Sequence, residues 1–303
     1  MDVSVVIITY NQDQYIKNTI ESIVKQNFEG EMEIVIGDDC SNDCTREILF
    51  SMAKEYPGII KPIFNEKNLG IVKNYYNVVS QCTGKYIMVC GGDDYWLPGK
   101  MELQYQLMER ESSIGVCYGL AKKIFDGSLS PSNETVGGKS TSFEALMHEN
   151  KIPACTSCIR RDLLEKYIED VNPLDKEWKM EDYPTWLWFS KHSNIYFINE
   201  TLAVYRVIKN SASHKFDVEK RIAFYQSVFS VKRAFCDEYE KKYLLQEYNT
   251  LKSLYFLKGK NSFFKFAARY DLKQVARDKI LIKFPLFLRI RNRLFLNAVK
   301  RMK

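Results

Sequence analysis

The sequence predicts an α/β fold with a mainly parallel central sheet, helices on both faces and a helical C-terminal extension. Two observations carry the sheet. Apolar, β-branched runs recur at residues 3–9, 33–37, 59–64 and 86–90. Between them, residues 15–26, 45–56 and 71–82 space their apolar side chains as amphipathic helices do. The runs are near-continuously hydrophobic rather than alternating, as strands covered on both faces are. A third observation carries the extension: from Lys215 onward strand signals vanish, and Lys, Phe, Tyr and Leu recur in helical patterns.

Taken in order, the opening run Val3 to Thr9 is almost entirely β-branched, and residues 15–26 place Ile16, Ile20, Ile23 and Val24 on one face. After residue 116 the pattern becomes mixed. Residues 116–124 read as a strand, 126–139 as a Gly/Ser/Asn-rich loop and 153–159 as another strand. Residues 183–191 read as a helix carrying Trp186, Trp188 and Phe189, and 196–198 and 203–207 as short strands. The expected division is a domain over 1–214, with halves 1–115 and 116–214, and a basic helical extension over 215–303.

At 303 residues, 46% hydrophobic and 27% charged, the chain has an ordinary soluble composition and can bury a substantial core. No basic segment precedes the first strand, so no signal peptide is expected, and no apolar run approaches the roughly 18 residues that span a bilayer. Eight cysteines in that setting read as reduced thiols in a cytosolic compartment. Cys40, Cys44, Cys155 and Cys158 have the count for a zinc site, but Cys155 and Cys158 lie in a strand-like segment where cysteine is an ordinary core residue. The charge of +6 shows no central basic stripe, which argues against a nucleic-acid partner.

The chemistry concentrates at strand ends, where parallel sheets bind ligands. Three ends carry polar clusters: Thr9-Tyr10-Asn11, Asp38-Asp39-Cys40-Ser41 and Gly91-Gly92-Asp93-Asp94. Adjacent carboxylates raise each other's pKa unless a cation sits between them, and such oxygens suit Mn²⁺ or Mg²⁺ held jointly with substrate phosphates. Gly91 and Gly92 remove Cβ crowding, so a phosphorylated ligand can approach the backbone. The alternative is a solvated loop capping a helix that begins near Lys100. Tyr95 and Trp96 offer apolar faces on which sugar rings stack, or serve as core anchors.

With these motifs in view, the chain resembles the inverting family 2 glycosyltransferases of the GT-A fold, of the bacterial, non-processive type. The resemblance runs over roughly residues 3–214 and implies a Rossmann-like sheet. It rests on Val-Ile-Ile-Thr-Tyr-Asn at the first strand, Glu33-Ile-Val-Ile-Gly-Asp-Asp-Cys-Ser, Asn65-Glu-Lys-Asn-Leu-Gly-Ile-Val-Lys-Asn, Gly91-Gly-Asp-Asp-Tyr-Trp and Met180-Glu-Asp-Tyr-Pro-Thr-Trp. It implies that Thr9, Tyr10, Asn11, Asn68, Gly70, Lys73, Gly92 and Asp93 contact the nucleotide-sugar donor, and that Asp39 reads its base. A uridine donor is the first expectation, because a carboxylate accepts from the uracil N3–H, and the resemblance also allows thymidine or guanosine donors. It further implies that Asp93, alone or with Asp94, holds Mn²⁺ or Mg²⁺, and that Asp182 is the catalytic base, with Glu181 as the alternative. His214, in Asn-Ser-Ala-Ser-His, sits where relatives place a histidine near the diphosphate or metal; a structural role is the other reading. Gly91 replaces the first carboxylate of the family's metal motif, and the Gln-x-x-Arg-Trp signature of processive members is absent.

Two competing readings are weaker. Gly-Asp-Asp also marks viral-type RNA polymerases, but the alternating first half has the wrong topology for them. A non-catalytic, membrane-associated nucleotide-sugar or carbohydrate-binding relative has no need to keep Asp39, Asp93 and Asp182 together. Residues 279–303 carry Lys279, Lys283, Arg289, Arg291, Arg293, Lys300, Arg301 and Lys303 among apolar residues, with no acid. Such a segment suits an anionic membrane surface at the cytoplasmic face, where the resemblance implies a glycan or lipid-linked acceptor for surface polysaccharide synthesis. The alternative is packing on the catalytic domain or on a second subunit of a homo-oligomer.

Overall fold

The structure, a computed structural model, describes residues 1–208, 218–236 and 244–257. Strands β1 (Val3–Thr9), β2 (Met32–Asp38), β3 (Ile60–Phe64) and β4 (Tyr86–Gly91) alternate with helices α1 (Ile16–Val24), α2 (Thr45–Glu55) and α3 (Ile71–Val79). They pair in parallel in the order β3-β2-β1-β4. Side chains of β1 alternate between two cores: Val3, Val5 and Ile7 pack on one face and Val6 on the other. That period of two, with apolar residues facing both cores, is why the strand reads as near-continuously hydrophobic.

The second half extends the same sheet with mixed pairing. After β5 (Tyr95–Trp96) and α4 (Lys100–Arg110) come β6 (Ile114–Phe125), β7 (Thr135–Val136), α5 (Phe143–His148), β8 (Cys158–Arg160), α6 (Arg161–Val171), α7 (Asp182–His192) and β9 (Asn194–Val207). The sheet continues past β4 as β8-β6-β9-β5, with β8 antiparallel to both β4 and β6.

Three expectations are corrected here. The strand expected over 153–159 begins as a 3-10 turn, Ala154–Thr156, because the Thr156 N–H closes back on the Pro153 carbonyl at 2.9 Å and its hydroxyl takes the same oxygen at 2.8 Å. The two short strands expected at 196–198 and 203–207 are one fourteen-residue strand, β9. Exposed Asn199 and Glu200 interrupt its apolar pattern where its pairing with β6 shifts register. The loop expected over 126–139 contains β7, which pairs with β6.

Beyond β9, α8 (Val218–Phe235) and α9 (Leu244–Leu257) are helical, as the sequence predicts. The backbone N–H of Lys179 donates to Ser227 Oγ at 2.8 Å, which pins α8 to the segment leading into α7. Among the described residues no helix is long and apolar enough to cross a membrane. His214 and residues 279–303 lie outside the described residues.

Candidate active site

Sheet register brings the three polar strand ends together. Thr9 pairs with Asp38, and Ile8 with Gly91. Over them opens a cavity of about 850 Å³. Its walls include Thr9, Tyr10, Asn11 and Asp39 from the first two strand ends, Asn74 from α3, and Asp93 after β4. Glu181 and Asp182 at the start of α7, Arg206 of β9 and residues of α8 and α9 complete it.

The donor side is a pair of interlocked turns. Asn11 (φ 53°) and Cys40 (φ 66°) both adopt the left-handed region, which non-glycine residues enter reluctantly. The Asn11 N–H donates to Ser41 Oγ at 2.9 Å, and Asn11 Oδ1 accepts from the Asn42 N–H at 2.9 Å, so each turn holds the other. Asp39 is buried, and its carboxylate accepts from the N–H groups of Leu69 (2.7 Å) and Gly70 (2.8 Å) and from Asn65 Nδ2 (3.1 Å). Much of its accepting capacity therefore closes the 65–70 loop, with Gly70 at φ 81° completing the turn. Asn68 supports that loop from its own side, donating to the Asp39 carbonyl at 3.1 Å.

Several residues expected to contact the donor lie elsewhere than on this wall. Asn68, Gly70 and Lys73 are not on the cavity wall, and Lys73 is exposed on α3. A Cβ on Gly92 would overlap Gln12 Oε1 and lie 2.8 Å from Thr9 Cβ, so the missing side chain makes room for the β1 turn and not for a ligand. Trp96 is 2% exposed, donates from Nε1 to the Cys155 carbonyl at 2.9 Å and carries Lys100 Nζ 3.8 Å from its ring centroid. It is a core anchor, not a sugar platform. Tyr95 is half-buried beside it in β5, off the cavity wall.

The two adjacent aspartates separate by environment. Burial, and then the charge of Asp93, push the Asp94 carboxyl well above the usual range. Asp94 is off the cavity wall, and its Oδ1 accepts from the Arg206 N–H at 2.8 Å. Asp93 faces the cavity; burial pushes its carboxyl up, while the Arg206 charge and a hydrogen bond from Gln12 pull it down. One cavity-facing carboxylate, destabilised as an anion, fits a divalent cation that takes its remaining ligands from substrate phosphates and water. Among the described residues no group of three or more His, Cys, Asp or Glu could cage a metal by itself, and Cys155 and Cys158 are buried thiols outside any disulfide.

Arg206 is a cavity-lining residue that sequence reasoning missed. Its Nε donates to the Asp93 carbonyl at 2.9 Å, and its guanidinium lies 4.5 Å from the Tyr15 ring centroid. Tyr15 is fixed in turn by donating to Asp126 Oδ1 at 2.8 Å. A single arginine inside a strand gives no signal until β9 is seen to end beside Asp93.

On the opposite side of the sequence, Asp182 is the first residue of α7, where the helix dipole favours an anion. Asn150 Nδ2 lies 3.4 Å from Asp182 Oδ2 as a long hydrogen bond. Burial pushes both carboxyls up; Glu181, with the Asp182 charge added, reaches about 8. The cavity thus holds a metal-type carboxylate, a fixed cation and a carboxyl pair tuned toward neutrality.

The profile named Glycosyl transferase family 2 matches residues 4–168, more than half of the 303. An uncharacterized protein of Mycobacterium tuberculosis is 29% identical over 225 residues, a match covering 72% of this chain and 62% of the relative. The chain thus spans about three-fifths of the length of that relative. The Escherichia coli UDP-Glc:alpha-D-GlcNAc-diphosphoundecaprenol beta-1,3-glucosyltransferase WfgD is 28% identical over 223 residues, covering 72% of this chain and 83% of that protein. Staphylococcus aureus TarS 1–349, solved with UDP-GlcNAc, superposes with a TM-score of 0.62 at 18% identity, covering 91% of this chain and 81% of that one. At that identity it shows the shared fold, a GT-A sheet with flanking helices.

Proposed function

Because the chain belongs to glycosyl transferase family 2, we propose that its cavity transfers a sugar from a nucleotide-diphosphate donor to a hydroxyl of a glycan or lipid-linked acceptor, with inversion, in surface polysaccharide synthesis. One observation carries this: Asp93, Arg206 and the Glu181–Asp182 pair all line one cavity at the carboxyl ends of the sheet. The donor half is residues 1–115 and the acceptor half 116–214, and the cavity draws on both. A uridine donor is favoured, because among the described residues Asp39 Oδ2 accepts the Gly70 N–H alone and keeps one lone pair for a ring N–H. WfgD, named for a UDP-Glc donor and a lipid-linked acceptor, supports the same reading.

In the reaction the acceptor oxygen attacks the anomeric carbon as the bond from that carbon to the diphosphate oxygen breaks. Asp182 takes the acceptor proton as general base. Arg206, held against Asp93, places a permanent positive charge where the diphosphate leaves. Asp93 would hold the divalent cation, Mn²⁺ or Mg²⁺, which when bound supplies Lewis-acid stabilisation of the leaving group. Residues 279–303 keep the enzyme at the cytoplasmic face of an anionic membrane, near a lipid-linked acceptor.

The test is release of nucleoside diphosphate from a panel of nucleotide sugars, with NMR of the product. Turnover should vanish in EDTA, return with Mn²⁺ or Mg²⁺, and give the inverted anomer. A retained anomer, or full turnover by metal-stripped protein, would overturn the proposal.

A further inference from the structure

The cavity has a wall that lies outside the segment matched by the family profile, which ends at residue 168. Phe224, Val228 and Lys232 of α8 all line it, and a spacing of four residues sets them in one stripe along the helix. Glu247 of α9 lines it as well. Lys232 Nζ donates to Glu247 Oε1 at 2.6 Å, with the two side chains 2% and 8% exposed.

This ion pair is incomplete. Glu247 Oε2 is buried and has no hydrogen-bond partner among the described residues. A buried pair serving only to join two helices is expected to satisfy its remaining lone pairs, because leaving them open opposes burial. Glu247 shares its cavity with Glu181 and Asp182. Burial first, and then the charge of Glu247, push the hydroxyl of Tyr183, another residue of that cavity wall, up. The Lys179 N–H to Ser227 Oγ bond fixes α8 two residues before Glu181.

We propose that α8 and α9 form the acceptor subsite, in which a neutral pyranose lies against Phe224 and Val228 and donates a hydroxyl hydrogen bond to Glu247 Oε2. Lys232 is the positioning residue that holds the other Glu247 oxygen. The inference rests on the glycosyl-transfer reading above. A carboxylate oxygen accepts and cannot donate, so it selects a hydroxyl over a phosphate or carboxylate. Glu149 and Asp182 on the same cavity wall add to the rejection of an anionic acceptor. Pockets that are mostly apolar with a few placed polar groups are the usual form of a ligand site.

The test uses the full chain, the nucleotide sugar it turns over, and octyl β-glycosides of glucose, galactose and N-acetylglucosamine as acceptors. Two variants are compared: Glu247→Gln, and the double replacement Lys232→Met with Glu247→Leu. The double variant removes the charge pair together, a change that buried pairs commonly tolerate without loss of stability. Both should raise the acceptor KM by at least about tenfold while the donor KM stays within about twofold. An unchanged acceptor KM in the folded double variant would overturn the subsite, as would donor and acceptor KM rising together, the mark of a merely structural role. Donor turnover by the wild type with transfer to none of the glycosides would overturn it too. Wild-type protein that turns over no nucleotide sugar would instead defeat the glycosyl-transfer reading itself.

Discussion

At the scale of residues, the Glu181–Asp182 pair divides one proton by environment. Asp182 opens α7 and lies beside Asn150, whereas Glu181 is pushed to about 8 by burial and by its neighbour. Near neutral pH Glu181 thus holds its proton, which leaves Asp182 as the base. Asp182→Asn should leave donor binding intact and lower turnover by about 10²-fold or more, while Glu181→Gln stays active. Steady-state kinetics of the two variants decide; inactivity of Glu181→Gln alone would reverse the roles. Stability gives an independent check. The folded pKa of Glu181 is raised from its usual 4.5, so its contribution is fully present below that value and is lost as pH rises through about 8. Glu181→Gln should therefore melt above the wild type at pH 9 and not at pH 4.5, by thermal denaturation. The residue types were legible in the sequence, but their directions were not. Asp93 and Asp94 are adjacent in the chain, yet one lines the cavity and the other is committed to Arg206. Trp96 likewise reads equally as a sugar platform or a core anchor until its indole is seen bonded to the Cys155 carbonyl.

At the scale of elements, the strands hold the site through close approaches and one buried clamp. Gly92→Ala would drive a methyl group against Thr9 and Gln12 and displace the β1 turn. We expect a loss of about 1–3 kcal/mol by denaturant unfolding, as for other overpacked positions, with weaker donor binding. The clamp is Glu33 of β2, which accepts from Ser4 Oγ (2.6 Å), Lys61 Nζ (2.5 Å) and the Thr83 N–H (2.7 Å), tying β1, β2 and β3 together. Burial pushes its carboxyl up, but these bonds win and hold it near 2. With the folded value below the usual 4.5, its stabilisation is present above that pH and is lost as pH falls toward 2. Glu33→Gln should flatten the acid limb of a stability-versus-pH curve between pH 4.5 and 2; an unchanged limb would contradict this. The parallel half was legible because its strands are local, β-branched runs separated by amphipathic helices. The second half was less so. The bend at Pro153 and the register shifts of β9 against β6 depend on partners far along the chain, to which local periodicity is blind.

At the scale of the molecule, a sheet common to glycosyl transferase family 2 presents its carboxyl ends to one cavity, and the chain's own α8 and α9 wall it on the far side. The convergence of three polar strand ends was readable from sequence because parallel topology alone enforces it. The contribution of α8 was not, since Phe224, Val228 and Lys232 look like any helical stripe until α8 is docked beside α7. The basic tail gives a prediction at this scale: full-length protein should float with anionic vesicles and be released by salt, whereas protein ending before Lys279 should not. Equal flotation of both would remove the tail as the anchor. The central claim is that Asp93 and a divalent cation together receive a nucleotide sugar. It is tested most directly by thermal-shift titration of wild-type and Asp93→Ala protein with UDP-, GDP- and dTDP-sugars, each with and without Mn²⁺. One donor, expected to be a UDP-sugar, should raise the wild-type midpoint only when Mn²⁺ is present, and should leave Asp93→Ala unmoved. A midpoint that no nucleotide sugar shifts, or that shifts equally without metal or without Asp93, would contradict it.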